Sequence, residues 1–148
     1  MRAVIQRVTC ARVKVEEQII GEIEKGLVVF LGITHDDSLK DADYLAEKIV
    51  ALRVFNDPEG RMNVSLKEAS GALLVVSQFT LYGDVRRGLR PSWSDAAQPE
   101  IAEPLYEYFV GRVRQEVKVE TGSFRKMMYV ELVNDGPVTI LLDSRKLF

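Results

Sequence analysis

The sequence predicts a single layered α/β domain of mixed strand direction. Three observations predict it. Stretches of alternating and continuous apolar residues occur at both ends and in the middle of the chain, and two amphipathic segments separate them, giving the order strands, helix, strand, helix, strands. No Gly-rich turn joins an early strand to a helix, so the doubly wound nucleotide-binding arrangement is excluded. The 148 residues carry no repeat, low-complexity tract or linker, so residues 1–148 form one domain.

Residues 2–9 and 12–16 alternate as two strands, and Glu16-Glu17-Gln18 suits the turn before a strand from Ile19 to Ile23. Leu27 to Ile33 is a continuous apolar run between Lys25-Gly26 and Thr34-His35-Asp36-Asp37-Ser38, the pattern of a strand buried on both faces. Ser38 stands three residues before Asp41 as a capping box, and Leu45, Ile49 and Leu52 continue the helix. That helix is expected to end near Asn56-Asp57-Pro58-Glu59-Gly60, because Pro58 cannot continue it and Gly60 suits a left-handed turn position. Ala72 to Val76 is the next strand and runs directly into Ser77-Gln78-Phe79-Thr80. Residues 83–98 read as a long loop. A second helix starts near Pro99 with Ile101, Leu105, Phe109 and Val113 on one face. Strands over about 126–134 and 138–143 flank Asn134-Asp135-Gly136-Pro137.

Composition limits the function. Twenty Lys and Arg against 22 Asp and Glu give a net charge of -2, so no broad basic field is available to coat long nucleic acid. The local basic cluster is Arg86, Arg87 and Arg90, which leaves contact with a few nucleotides open. A single cysteine, Cys10, excludes an internal disulfide and fits a reducing compartment; Cys10 reads as a buried small hydrophobe. Arg7 interrupts the N-terminal apolar run before a signal-peptide core could form, and no segment reaches the ~20 apolar residues of a membrane span. The expectation is a cytoplasmic chain with no membrane partner.

Several chemistries lack their parts. The one histidine, His35, lies beside two acids just before a helix cap and reads as a solvated loop residue, not a catalytic base. One His and one Cys cannot make a usual zinc set. Carboxylate-only Mg²⁺ binding stays open, although Asp36-Asp37 suits a helix entrance. No P-loop, dinucleotide fingerprint or H-E-x-x-H occurs. An enzyme built from this chain works with backbone amides, hydroxyls, side-chain amides and the substrate's own groups, without cofactor or metal.

Two segments stand out. Ser77-Gln78-Phe79-Thr80-Leu81-Tyr82 emerges from a buried strand, where hydroxyls, an amide and unpaired N–H groups could hold an oxyanion, each donor being worth on the order of 10²–10³ in rate. The same residues also suit a strand end with Phe79 in the core. Asn134-Asp135-Gly136-Pro137-Val138-Thr139, taken alone, is a turn.

Together, the two resemble the D-aminoacyl-tRNA deacylase family. The resemblance covers essentially the whole chain, through AVIQRVT (Ala3 to Thr9), GEI..GLVVFLGI (Gly21 to Ile33), RVFNDPEGRMN (Arg53 to Asn63), LLVVSQFTLY (Leu73 to Tyr82), RGLRPSW (Arg87 to Trp93), TGSF (Thr121 to Phe124) and NDGPVT. It implies mixed β-sheets forming a barrel-like layer with two main helices packed outside, in a homodimer. It also implies that Ser77, Gln78, Phe79 and Thr80 form the catalytic floor, with N–H groups near Phe79 binding the terminal adenosine and the ester carbonyl of aminoacyl-tRNA at its 3′ acceptor end. Thr80 as nucleophile competes there with assistance by the ribose 2′-hydroxyl, and the absence of a base for Thr80 favours the hydroxyl.

In this family the Gly136-Pro137 bond is cis and enters the partner's site, where its carbonyls occupy the space of an L side chain while D-isomers and glycine fit. Arg7 and Met128 match positions near that loop. One departure is Arg125-Lys126, where the family usually has small or acidic residues; it suits either phosphate contact or a solvated loop. The alternatives to a deacylase are an RNA-end binding module using Arg86, Arg87 and Arg90, and a structural dimer in which NDGPVT is only a turn.

Overall fold

The long first strand organises the molecule. In the computed structural model, which describes residues 1–148, β1 runs unbroken from Arg2 to Val15. Its first half pairs antiparallel with β3 (Gly26–Gly32) and its second half with β2 (Gln18–Ile23). Along the other edge of β1 lies β8 (Tyr129–Asp143), also antiparallel. Beyond β3 come β6 (Ala72–Ser77) and β7 (Val119–Thr121), both parallel additions. The resulting six-stranded mixed sheet curls until β2 meets β7: a Cβ placed on Gly21 would lie 2.6 Å from the Thr121 carbonyl oxygen. This is the expected barrel-like layer.

Two helices, α1 (Leu39–Ala51) and α2 (Pro99–Arg114), cover one face. Leu27, Val29 and Leu31 of β3 join Leu45, Ile49, Leu105 and Phe109 in the main core, whereas Val28 points the other way to Val8, Val13, Leu74 and Val76 inside the curl. Burial on both faces explains why β3 shows no alternation. Tyr106 of α2 is buried and donates its hydroxyl to the Val75 carbonyl at 2.9 Å, which fixes α2 against β6; burial pushes the phenol above its ordinary pKa. No helix is long and apolar enough to cross a membrane.

Several expectations are corrected. The two predicted N-terminal strands are one, because irregularities in the pairing with β8 near Val8 let β1 turn without ending. The same slips turn Thr9 and Cys10 outward, so Cys10 is exposed rather than buried. Helix α1 stops at Ala51, where Leu52 turns extended (φ -58°, ψ 126°). A hairpin comes next, β4 (Arg53–Asn56) with β5 (Met62–Ser65), its turn held by the Asp57 carboxylate, which accepts from the N–H groups of Glu59 and Arg61. The two late strands are likewise one, β8, with residues 134–138 bowed outward. Ile101 is exposed while Leu105, Phe109 and Val113 are buried as predicted.

The capping box forms, Asp41 accepting from the Ser38 N–H and hydroxyl at 2.8 Å each. Asp37 is buried and accepts from the Met1 amino group at 2.5 Å and the Thr34 N–H at 2.8 Å.

Candidate active site

Strand β6 leaves the sheet at Ser77, and the Gln78 N–H extends its ladder by one bond to the Leu31 carbonyl at 2.8 Å. The chain then tightens into a 3₁₀ turn, Phe79–Tyr82. Gly32 permits this, since a Cβ there would lie 2.9 Å from Leu81 Cβ and 3.1 Å from the Gln78 carbonyl oxygen. The opening N–H groups of such a turn have no partner within it. Those of Phe79 and Thr80 also find none elsewhere in the chain.

Phe79 lies in the wall of a cleft of about 580 Å³, together with Ser77, Gln78, Trp93, Met128 and the start of α2 at Gln98-Pro99, and Thr80 is the next residue beyond that wall. Phe79 is 55% exposed, which rules out the reading of Phe79 as core. It meets Trp93 edge to face, with ring centroids 5.2 Å apart. Trp93 in turn lies on Gly83, where a Cβ would come within 2.7 Å of the indole. Across the cleft, the Met128 sulfur accepts the Ser123 N–H at 3.3 Å and covers Gly122. Arg125 and Lys126 are the ionisable residues of the lining.

The sequence-predicted residues divide into two groups. Ser77, Gln78, Phe79 and Met128 come together in the cleft. Thr80 is exposed and outside the lining, its hydroxyl accepting the Gln78 side-chain N–H. Arg7, Gly136 and Pro137 form a second group outside that lining. Met128 therefore belongs with the cleft and not beside the Gly136-Pro137 segment of its own chain.

Arg7 is buried and donates from Nε to the Asp135 carbonyl at 3.0 Å and from Nη1 to the Val54 carbonyl at 2.6 Å, while pairing with the Asp135 carboxylate at 3.2 Å. The Asn134 side chain accepts the Val138 N–H at 2.7 Å and donates to the Val138 carbonyl at 3.3 Å, closing the neck of the bowed segment. Between these anchors the Gly136-Pro137 peptide is cis, Gly136 has φ +139°, and both residues are exposed.

Sequence reasoning missed the part played by Trp93 and by the start of α2; the signal was the single tryptophan at the end of the basic loop. His35 is exposed, outside the cleft lining, with Nε2 2.8 Å from the Ser94 carbonyl oxygen. Arg86 is held by Asp84 at 2.8 Å, and the guanidinium keeps that carboxyl well below the usual carboxylate range. No three His, Cys, Asp or Glu side chains gather closely enough to hold a metal ion.

Residues 4–143 match the family model described as D-Tyr-tRNA(Tyr) deacylase. The chain is 60% identical to the D-aminoacyl-tRNA deacylase of Fervidobacterium nodosum and 58% identical to that of Thermotoga petrophila, with 100% of both chains covered in each case. The solved structure of a protein named c-Myc DNA Unwinding Element Binding Protein superposes with a TM-score of 0.92 at 39% identity, covering 97% of this chain and 98% of that one. On the model match and these full-length relatives, the chain belongs to the D-Tyr-tRNA(Tyr) deacylase family of hydrolases.

Proposed function

We propose that this chain hydrolyses the ester joining a D-amino acid, or glycine, to the 3′ end of tRNA in the cytoplasm, as a cofactor-free homodimer. The observation that carries this reading is the unpartnered N–H group of Phe79 in the cleft wall, followed along the chain by the equally unpartnered N–H of Thr80. Two fixed donors at this point hold the carbonyl oxygen as it becomes an oxyanion, with no reorganisation at the moment of reaction. Ser77 and Gln78 orient the terminal adenosine, and the aromatic corner of Phe79 and Trp93 walls the site. Water attacks the carbonyl carbon, the bond to the ribose oxygen breaks, and the leaving oxygen takes a proton; the neighbouring ribose hydroxyl assists the water. Thr80 has no base to activate it, which supports this assignment over a threonine nucleophile.

Chirality is assigned to Gly136-Pro137 of the partner subunit. Within one chain this segment is exposed and stands apart from the cleft, yet Arg7 and Asn134 fix it from behind, an arrangement suited to insertion into another surface. A face for that partner is available: Leu141, Val4 and Phe30 align across β8, β1 and β3, with Leu141 54% exposed. Carbonyl groups inserted beside the α-carbon leave no room for an L side chain and tolerate hydrogen.

The direct test is hydrolysis of D-tyrosyl-tRNA and L-tyrosyl-tRNA side by side, at equal enzyme concentration, in chelator. Loss of the D-ester alone is expected. Survival of both esters in the presence of folded protein would overturn the activity, and salt-sensitive tRNA binding without turnover would point to an RNA-end binding module. A second expectation concerns pH. The cleft lining holds no histidine or carboxylate, so single-turnover rates should rise smoothly with hydroxide, with no plateau between about pH 6 and 8, where a histidine base would titrate. A bell-shaped profile in that window would contradict the substrate-assisted route.

A further inference from the structure

We propose that Arg125 and Lys126 on the cleft wall, together with Arg87 and Arg90 on the adjoining loop, form a short track that grips the phosphates of the last unpaired nucleotides of the tRNA. The inference rests on the deacylase reading and adds the contact by which the polynucleotide is held.

Its basis is where this acidic chain leaves its cations free. Nine of its 20 Lys and Arg pair with carboxylates, among them Arg2 with Asp143, Arg7 with Asp135, Arg12 and Lys14 with Glu131, Lys67 with Glu116, and Arg112 with Asp43; of those left unpaired, Arg125 and Lys126 alone line the cleft. Arg125 and Lys126 are exposed and form no ion pair, although they stand in the wall of a cleft that is otherwise uncharged. Their backbone is specialised. Arg125 has φ +61°, a left-handed conformation costly for a residue with a Cβ, inside a turn closed by the Lys126 N–H on the Ser123 carbonyl at 3.2 Å. That turn is pinned by the Ser123 N–H bond to the Met128 sulfur, so the two cations are carried on a fixed support at the rim.

The second half of the track projects from the opposite end of the aromatic corner. Asp84 and Ser92 bond to each other through both backbone pairs, at 2.8 and 2.9 Å, and form a neck from which residues 85–91 extend. Trp93, in the cleft, is the next residue after this neck. A hollow of about 460 Å³ lined by Asp84, Arg86, Arg87 and Ser92 therefore begins next to the cleft. Arg86 is neutralised by Asp84. Arg87 and Arg90 are exposed and unpaired, and remain available to an anion. A nucleoside seated against Phe79 and Trp93 would direct its 5′ phosphate to the rim that carries Arg125 and Lys126, with the loop of Arg87 and Arg90 leading on from Trp93. Point contacts of this kind bind any sequence and weaken with salt.

The test compares D-tyrosyl-tRNA with the phosphate-free ester D-tyrosyl-adenosine as substrates for R125Q/K126Q and for R87Q/R90Q. In each double variant kcat/KM for the tRNA should fall by about tenfold through KM, with the adenosine ester falling far less. The slope of log(kcat/KM) against log[salt] should shrink by about 1.4 for two phosphate contacts to a single strand. Equal losses on both substrates would overturn the track, as would an unchanged tRNA reaction. If the parent protein hydrolyses neither substrate, the deacylase reading fails on its own. Binding of uncharged tRNA ending in CCA then still decides the track, which predicts weaker, less salt-dependent binding by both variants.

Discussion

Replacing Arg7 with leucine is expected to cost about 3 kcal/mol of stability and to remove most of the discrimination between D- and L-esters. The guanidinium is buried and bonds two main-chain carbonyls, of Val54 and Asp135, from two separate segments. Leucine fills the volume but leaves buried acceptors without donors, at roughly 1–3 kcal/mol for each group. The Asp135 carboxylate, 3.2 Å from the guanidinium, also loses its counter-charge. The site effect arises from the same bonds, because the segment carrying Gly136-Pro137 loses its anchor to β1 and the β4–β5 hairpin. We expect the ratio of D- to L-tyrosyl-tRNA hydrolysis to fall at least about tenfold, since displacements near 1 Å at a reacting centre cost about a hundredfold in rate. Arg7→Lys should recover part of the stability but not the ratio, because an ammonium lacks the planar fork that serves two carbonyls. Urea unfolding and paired rate measurements check both halves. An Arg7→Leu protein with unchanged selectivity would remove Arg7 from the positioning of this loop.

Gly26→Ala is expected to be more damaging to the fold than any change at the surface. Gly26 faces Ala72 where β3 and β6 begin their parallel pairing, and a Cβ there would lie 1.9 Å from the Ala72 carbonyl oxygen and 2.8 Å from its carbonyl carbon. Both are backbone atoms, so no rotamer change relieves the overlap; the strands must separate or slip. A cost above about 3 kcal/mol is expected, at the severe end of overpacking. Because β6 sets the position of Ser77 to Phe79, activity should fall with it. Gly111→Ala in α2, where an added Cβ meets nothing within 4 Å, should instead stabilise by about 0.5–1 kcal/mol. Thermal unfolding of the two variants separates these outcomes directly.

Much of the fold was legible because local chemistry and tertiary demand agreed. Ser38 and Asp41 marked a cap that forms, Pro99 opened a helix that starts there, and Leu27 to Ile33 lost its alternation because the strand is buried on both faces. Where a tertiary contact overrode the local pattern, reading failed. Cys10 is exposed because pairing irregularities on β8 shift the face of β1 near Val8, and nothing in the sequence around Cys10 marks them. Strand β4 was absorbed into the preceding helix and β5, beyond the turn, went unassigned, because four-residue strands are too short to show a period beside Leu45, Ile49 and Leu52.

At the candidate site, the motif from Ser77 to Phe79 pointed to a strand end that lines the cleft. The cleft itself was not legible, because Trp93 arrives through the backbone pairing of Asp84 with Ser92. Met128 stands just before β8 and Gly136 in its middle, so Met128 lines the cleft while Gly136 of the same chain lies outside it.

The central claim, that each cleft is completed by a loop from its partner, is tested by mixing two defective proteins. One carries Ser77→Ala and Gln78→Ala in the cleft, and the other carries Arg7→Leu behind the Gly136-Pro137 segment. Each alone should be impaired in D-selective hydrolysis. After subunit exchange at equal amounts, heterodimers hold one intact cleft facing one intact loop, and about a quarter of all sites should recover selective D-tyrosyl-tRNA hydrolysis. Recovery of that order establishes the shared site; no recovery, with heterodimers shown to form, would contradict it.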